Sequence, residues 1–169
     1  QIELAASEKD MCLVFRVLED PSDDDLERLR QLAVELECHI SIQPGGPDTI
    51  YPLNSKETQL SYSLPDWDVE IAFKPQDFTQ VNLSLNQKMI AQALHHLDLH
   101  ADDRVLDLFC GLGNFSLPMA RKAKQVVGVE GDPEMVRRAA WNALANHLNN
   151  VDFYAADLFS AIERRDDWR

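Results

Sequence analysis

An α/β fold in two parts is what the sequence predicts: a small α+β module, then a partial doubly wound parallel sheet made of the first three β-α units of a Rossmann-like arrangement. Three observations carry this. From about residue 85 strands and helices alternate; a glycine turn, Gly111-Leu112-Gly113, joins the first of those strands to a helix; and before residue 85 short strand-like stretches surround one amphipathic helix.

The elements follow in order. Residues 11–19 (MCLVFRVLE) are rich in β-formers and predict a strand, which Asp20-Pro21-Ser22 breaks. Residues 23–37 place Leu26, Leu29, Ala33 and Leu36 at helical spacing, with Asp23, Asp24 and Asp25 in the first turn, where the helix dipole favours negative charge. Consecutive helical residues point in different directions, so these three aspartates read as a helix start and not as a metal site. CHISIQ (38–43) predicts a strand, Pro44-Gly45-Gly46-Pro47 a turn, and TQLSYSL (58–64) and DVEIAF (68–73) two further strands, together an antiparallel sheet. In residues 86–97 Met89, Ile90, Ala93, Leu94 and Leu97 share one helical face, leaving the adjacent His95 and His96 at its surface. Then come strand RVLDLF, the glycine turn, helix NFSLPMARKA, strand QVVGVE, a helix opened by Asp132 as cap and Pro133 at its first position, and strand VDFYAAD.

Composition narrows the class. With 169 residues, 45% hydrophobic and 27% charged, the chain has the balance of a globular protein, and no apolar run approaches the roughly 20 residues of a membrane helix. Cys12, Cys38 and Cys110 are far apart and lack metal-ligand spacing, which points to a reducing cytoplasm and neither a zinc site nor a disulfide framework. The net charge of −13 is uneven: residues 1–85 hold six Lys and Arg against seventeen Asp and Glu, residues 86–169 ten against twelve. Polyanion binding ordinarily needs a basic footprint, so charge alone argues against a nucleic-acid partner. The first residues show no basic n-region followed by an apolar h-region, so no signal peptide is expected among them, and a sheet of only three strands, beginning without Met, suggests an internal piece of a longer protein.

The glycine turn carries the chemistry. Gly111 and Gly113 allow positive φ and close approach of backbone to ligand, and the helix after them offers unpaired N–H groups. Nicotinamide cofactors, flavins and S-adenosylmethionine all use such turns. Asp107, at the end of the preceding strand, is awkward beside a pyrophosphate but suits the cationic amino group of a methionine moiety. Glu130 closes the next strand, where a carboxylate accepts ribose hydroxyl protons, and Asp157 follows the third strand within reach of an adenine amino group. Ser116 stands where G-x-G-x-x-G has its third glycine, which weakens the dinucleotide reading. These features favour S-adenosylmethionine over NAD. A nicotinamide-dependent oxidoreductase and a non-catalytic interaction module remain as alternatives.

Residues 73–82 (FKPQDFTQVN), followed by LDLFCGLGNFSLPMA and VVGVEG, resemble the RNA uracil-5-methyltransferases, and within them the branch acting on 23S ribosomal RNA more than the transfer-RNA branch. The resemblance implies a partial class I methyltransferase sheet. It implies that residues 1–72 are part of a central RNA-facing α+β domain and residues 73–169 the N-terminal half of the cofactor domain. It assigns Gln80, Phe109, Asn114, Glu130 and Asp157 to the S-adenosyl-L-methionine site, beside Asp107, Gly111 and Gly113 from the turn itself.

By the same resemblance, the nucleophilic cysteine, which adds to uracil C6 so that C5 can attack the methyl group, and the general base both lie outside these residues, as do the cysteines of a 4Fe-4S cluster. Cys110 matches no nucleophile position and reads as a small packing residue, with Cys12 and Cys38 in strands as core. The expected activity is methylation of a uridine at C5 in 23S ribosomal RNA by the full-length cytoplasmic protein, with no membrane or protein partner implied and no methylation by this chain alone.

Overall fold

The computed structural model describes residues 1–54 and 59–158, and their contacts divide them into two compact units. One comprises Gln1–Ser61 with Phe73–Asp77; the other comprises Tyr62–Ala72 with the described residues from Phe78 onward.

The first unit is a sheet of four strands in the order β1 (Ile2–Ala6), β2 (Met11–Arg16), β3 (His39–Gln43) and β4 (Tyr51–Pro52). It is mixed where the sequence led us to expect an antiparallel sheet: β1–β2 and β3–β4 are antiparallel, but β2 and β3 run parallel, with Cys12 opposite His39 and Phe15 opposite Ile42. The reason is helix α1 (Asp23–Glu35), which crosses over between them, and a strand–helix–strand connection returns the chain in the same direction. Leu26, Leu29, Leu32 and Ala33 of α1 pack with Cys38, Ile40 and Ile42, while Leu36 falls at the C-cap and stays exposed, so Leu32 takes the place expected for it. Ser22 and Asp25 form a capping box: Asp25 N donates to Ser22 Oγ (3.2 Å), and Ser22 N donates to Asp25 Oδ2 (3.2 Å). The Asp25 carboxyl is held below its ordinary range by that serine. β1, not foreseen from its weakly patterned IELAA, forms because β2 offers it a pairing edge.

Strands β5 (Leu60–Leu64) and β6 (Val69–Phe73) make a two-stranded sheet; Thr58, where the first of them was expected to begin, lies outside the described residues. Helix α2 (Leu83–Leu97) starts three residues earlier than its hydrophobic pattern, because Asn82 caps it by accepting from Leu85 N (3.0 Å). Ile90 and Leu94 are buried, and Leu97 in the last turn is exposed.

The remaining elements are β7 (Arg104–Leu108), α3 (Ser116–Ala120), β8 (Gln125–Glu130), α4 (Pro133–Ala145) and β9 (Val151–Ala155). Their sheet is parallel throughout, in the order β7-β8-β9, as expected for β-α-β-α-β. β8 is buried almost end to end, whereas Leu106 and Leu108 of β7 are exposed. α3 is only five residues long, half the length its sequence suggested, since the glycine turn continues to Phe115. Asp132 accepts from Glu134 N (2.8 Å) with Pro133 at the first helical position, the start read from the sequence. Among the described residues no helix is long and apolar enough to cross a membrane.

Candidate functional site at the strand ends of the parallel sheet

Paired residues in a sheet project to the same face, and so do residues two apart on a strand. The register aligns Asp107 with Gly128 and Gly128 with Phe153, and Glu130 with Ala155. Asp107 and Glu130 therefore rise on one face, two residues apart along the sheet. Between them Gly128 supplies a gap: a Cβ there would sit 2.5 Å from the Phe153 ring and 2.9 Å from Cys110 Sγ. The ring fills that gap and reaches the glycine turn, where a Cβ on Gly113 would lie 3.3 Å from its tip and 3.0 Å from Leu117. Thus an apolar floor underlies the turn, and Gly113 is required both for that contact and for its φ of +91°.

The turn itself is strained where it faces solvent. Phe109 adopts φ +62° with its side chain 55% exposed, a conformation an aromatic residue holds only when its surroundings impose it. Cys110 N donates to the Val129 carbonyl (3.1 Å) and Gly113 N to the Cys110 carbonyl (3.0 Å), which close the turn.

Glu130 clamps the turn's entrance. Its Oε2 accepts from Gly111 N (3.1 Å), and its Oε1 accepts from Gly131 N (2.7 Å) and Asp132 N (3.3 Å). A carboxylate offers about four lone-pair directions, so three are used and about one, on Oε2, is left for an incoming hydroxyl. Ala156 N donates to the Glu130 carbonyl (2.9 Å), and Asp157 follows, exposed.

Asp107 sits deeper. Burial raises its carboxyl above the ordinary range, opposed by Ser116, whose Oγ donates to Oδ2 at 2.5 Å. Ser116, noted in the sequence only as a missing glycine, is thus the partner that keeps a half-buried carboxylate hydrogen-bonded. Cys110 is 5% exposed, and burial together with the charges of Asp107 and Glu130 pushes its thiol far up. A thiol in that setting stays protonated and is a poor nucleophile. Cys12 and Cys38 are also buried and unbridged. Among the described residues no three His, Cys, Asp or Glu are grouped to hold a metal ion.

Asn114 turns inward. Its Oδ1 accepts from Tyr62 Oη (2.9 Å) and Asn86 Nδ2 (2.9 Å), and its Nδ2 donates to Asn86 Oδ1 (2.8 Å), a reciprocal amide pair with Asn86 fully buried. That side chain is spent on anchoring the turn to α2 and β5. Gln80 lies exposed in the segment before α2, two residues ahead of the Asn82 cap. The structure therefore joins Asp107, Gly111, Gly113 and Glu130 in one bonded and packed group, ties Asn114 elsewhere, and leaves Phe109, Gln80 and Asp157 at the surface.

Sequence reasoning missed the polar residues that tie the surrounding elements to one another. Asn142 and Asn146, Tyr62, Asn86 and Arg121 all bond distant backbone or side chains. One signal was present: asparagines four apart on the otherwise small, buried face of α4, where an unpaired amide is costly.

Solved methyltransferase structures share the fold of this parallel β-α-β-α-β run. A Pyrococcus abyssi tRNA (uracil-54, C5)-methyltransferase in complex with S-adenosyl-L-homocysteine superposes with a TM-score of 0.65 at 17% identity, over 91% of this chain and 38% of that one. The M. jannaschii tRNA m1G37 methyltransferase gives 0.55 at 14%, over 92% and 47%. The chain belongs to the tRNA (uracil-5-)-methyltransferase family, whose model matches residues 5–167. Two curated relatives, from Xanthomonas campestris pv. campestris (strain 8004) and Legionella pneumophila (strain Corby), are named 23S rRNA (uracil(1939)-C(5))-methyltransferase RlmD and are 53% and 48% identical over 168 residues. Those alignments cover 99% and 98% of this chain but 38% of each relative, so the chain spans well under half their length. Family membership favours a methyltransferase turn over that of a nicotinamide oxidoreductase.

Proposed function

We propose that these residues form the cofactor-binding part of an enzyme that methylates C5 of a uridine in 23S ribosomal RNA, with S-adenosyl-L-methionine as donor. The observation that carries this is 53% identity, across nearly the whole chain, to a relative named for that reaction. The ribosomal reading is preferred to the transfer-RNA one because both curated relatives are ribosomal, although the family takes its name from transfer RNA.

The residues suit that cofactor. Glu130 retains acceptor capacity for a ribose hydroxyl after binding three backbone amides. Asp107 is a half-buried carboxyl whose ionised form is favoured by a nearby cation, such as the amino group of the methionine moiety. Gly111 and Gly113 give the close backbone approach, Phe109 an exposed ring at the rim, and Gln80 and Asp157 exposed polar groups for the remaining edges. Asn114 supports the turn and contributes through its backbone. When bound, the cofactor supplies an electrophilic methyl group; these side chains bind and orient it. The thiol that activates uracil comes from outside these residues, because Cys110 is protonated and buried.

The test is transfer of labelled methyl from S-adenosyl-L-methionine to 23S ribosomal RNA by the full-length protein, with S-adenosyl-L-homocysteine and NADH titrated in parallel. Label in 5-methyluridine and binding of the homocysteine compound alone are expected. Label confined to transfer RNA would shift the substrate, and NADH binding would overturn the cofactor.

A further inference from the structure

The segment 67–72 is held along its backbone by side chains from α4 and from just beyond α3. Arg121 Nε donates to the Trp67 carbonyl (3.1 Å) and its guanidinium also to the Asn146 carbonyl (3.2 Å). Asn146 bonds Glu70 twice, its Oδ1 accepting from Glu70 N (2.8 Å) and its Nδ2 donating to Glu70 O (2.7 Å). Asn142 repeats this at Ala72, accepting from Ala72 N (3.0 Å) and donating to Ala72 O (3.1 Å). The spacing has a simple cause. Four helical residues rise about 6 Å, and two strand residues advance about 6.7 Å, so amides at i and i+4 of a helix match alternate residues of a strand edge. The two asparagines stand where a third strand would otherwise pair with β6.

They differ in one contact. Asn142 Nδ2 also donates to the Leu112 carbonyl (3.3 Å), inside the glycine turn. Both of its N–H groups and its oxygen are then used, and the residue is completely buried. Leu112 C=O and Gly113 N–H belong to one planar peptide group, so a donor fixed on the carbonyl also orients that N–H. This matters at this peptide because glycines with φ +56° and +91° flank Leu112, which makes it the least restrained part of the turn.

We propose that Asn142 is a positioning residue for the cofactor turn: through the Leu112 carbonyl it sets the 112–113 peptide plane, using β6 and α4 as the rigid frame. The link from the turn to cofactor binding rests on the function proposed above; the link from Asn142 to the turn does not. Asn142→Asp keeps the shape and the acceptor for Ala72 N but replaces the donor facing Leu112 with an acceptor. Asn146→Asp makes the same replacement one rung away, opposite the Glu70 and Asn142 carbonyls and not the Leu112 carbonyl. Amide hydrogen exchange at Gly113, whose N–H donates to Cys110 O, reads the peptide plane directly.

Exchange at Gly113 is expected to quicken at least about tenfold in Asn142→Asp and to stay within twofold of the original in Asn146→Asp. The full-length protein carrying Asn142→Asp is expected to bind S-adenosyl-L-homocysteine about tenfold more weakly, and that carrying Asn146→Asp unchanged. Equal acceleration in both variants, or none in Asn142→Asp, overturns the proposal by reducing Asn142 to one of two equivalent rungs. If exchange separates the variants but the unaltered full-length protein takes up no S-adenosyl-L-homocysteine, the positioning role stands and the cofactor reading falls. Should either aspartate variant fail to fold, Asn142→Ser and Asn146→Ser make the same comparison without a buried charge.

Discussion

Asp107 and Glu130 end neighbouring strands on the same face of one sheet, yet the protein treats them oppositely. Glu130 lies at the tip among three backbone N–H donors, which stabilise its charge without any cation. Asp107 lies two residues deeper, half-buried, with Ser116 as its partner through both hydroxyl and backbone, and burial raises its carboxyl. A charge already solvated by amides is suited to orienting a neutral hydroxyl. A charge left poorly solvated is suited to waiting for a cation. The difference comes from depth along the strand and not from residue type.

The largest way to break the comparison is to remove the floor beneath both groups. Gly128→Val places side-chain carbons into the space held by the Phe153 ring and Cys110 Sγ, so either the ring leaves the turn or β8 shifts against β7. Overpacking of this kind costs about 1–3 kcal/mol, and a branched residue against a ring belongs at the upper end. Chemical denaturation should show a lower midpoint with unchanged slope. A midpoint equal to that of the original chain would mean that the ring is not fixed there.

Next is Glu130→Ala. Hydrogen bonds to charged groups contribute about 1.5–3 kcal/mol, so losing the ribose contact should weaken S-adenosyl-L-homocysteine binding by about tenfold to a hundredfold in the full-length protein. The freed amides of Gly131 and Asp132 belong to exposed residues and rehydrate, so thermal stability should change much less than affinity. A stability loss with affinity intact would make Glu130 only a clamp on the turn.

Much of this site was legible in the sequence. The glycine turn, the strand-end carboxylates and the Asp132-Pro133 helix start are local signals, each written within a few residues. The parallel β2–β3 pair was not, because it depends on where α1 carries the chain. Nor were the long-range partners of Asn114, Asn142 and Asn146, 28 to 76 residues away. An asparagine reads as polar in sequence, and only the fold supplies the backbone it satisfies. Leu36 illustrates the converse: its spacing was right for the buried face, but the helix ended one residue too soon.

Ser116→Ala sharpens the contrast at smaller scale. It removes the hydroxyl donor at 2.5 Å from the half-buried Asp107 carboxylate and leaves the Ser116 backbone, a loss of about 1–3 kcal/mol in the ionised form that the protein relieves by binding a proton. The Asp107 carboxyl should therefore move further up, visible by carbonyl-carbon NMR titration. An unmoved Asp107 titration would show that the hydroxyl does not stabilise its charge.

The smallest effect, and the one whose sign is most telling, is the pH dependence contributed by Asp107. Its carboxyl is raised in the folded chain by burial, so between its ordinary value of 3.8 and the raised one the folded state holds more protons than the unfolded state. Stability then falls as pH rises through that window and is flat above it, the reverse of what a salt-bridged aspartate contributes. Asp107→Asn keeps an oxygen for Ser116 Oγ and removes the charge, so the variant should be more stable than the original at pH 7 and the gain should vanish below pH 3.8. Thermal unfolding of both chains across that range measures it. A gain at neutral pH together with weaker S-adenosyl-L-homocysteine binding by the full-length protein would mean that the carboxylate is kept at a cost to folding for the sake of a cationic ligand; a loss at neutral pH would mean that Asp107 has a cationic partner within the fold already.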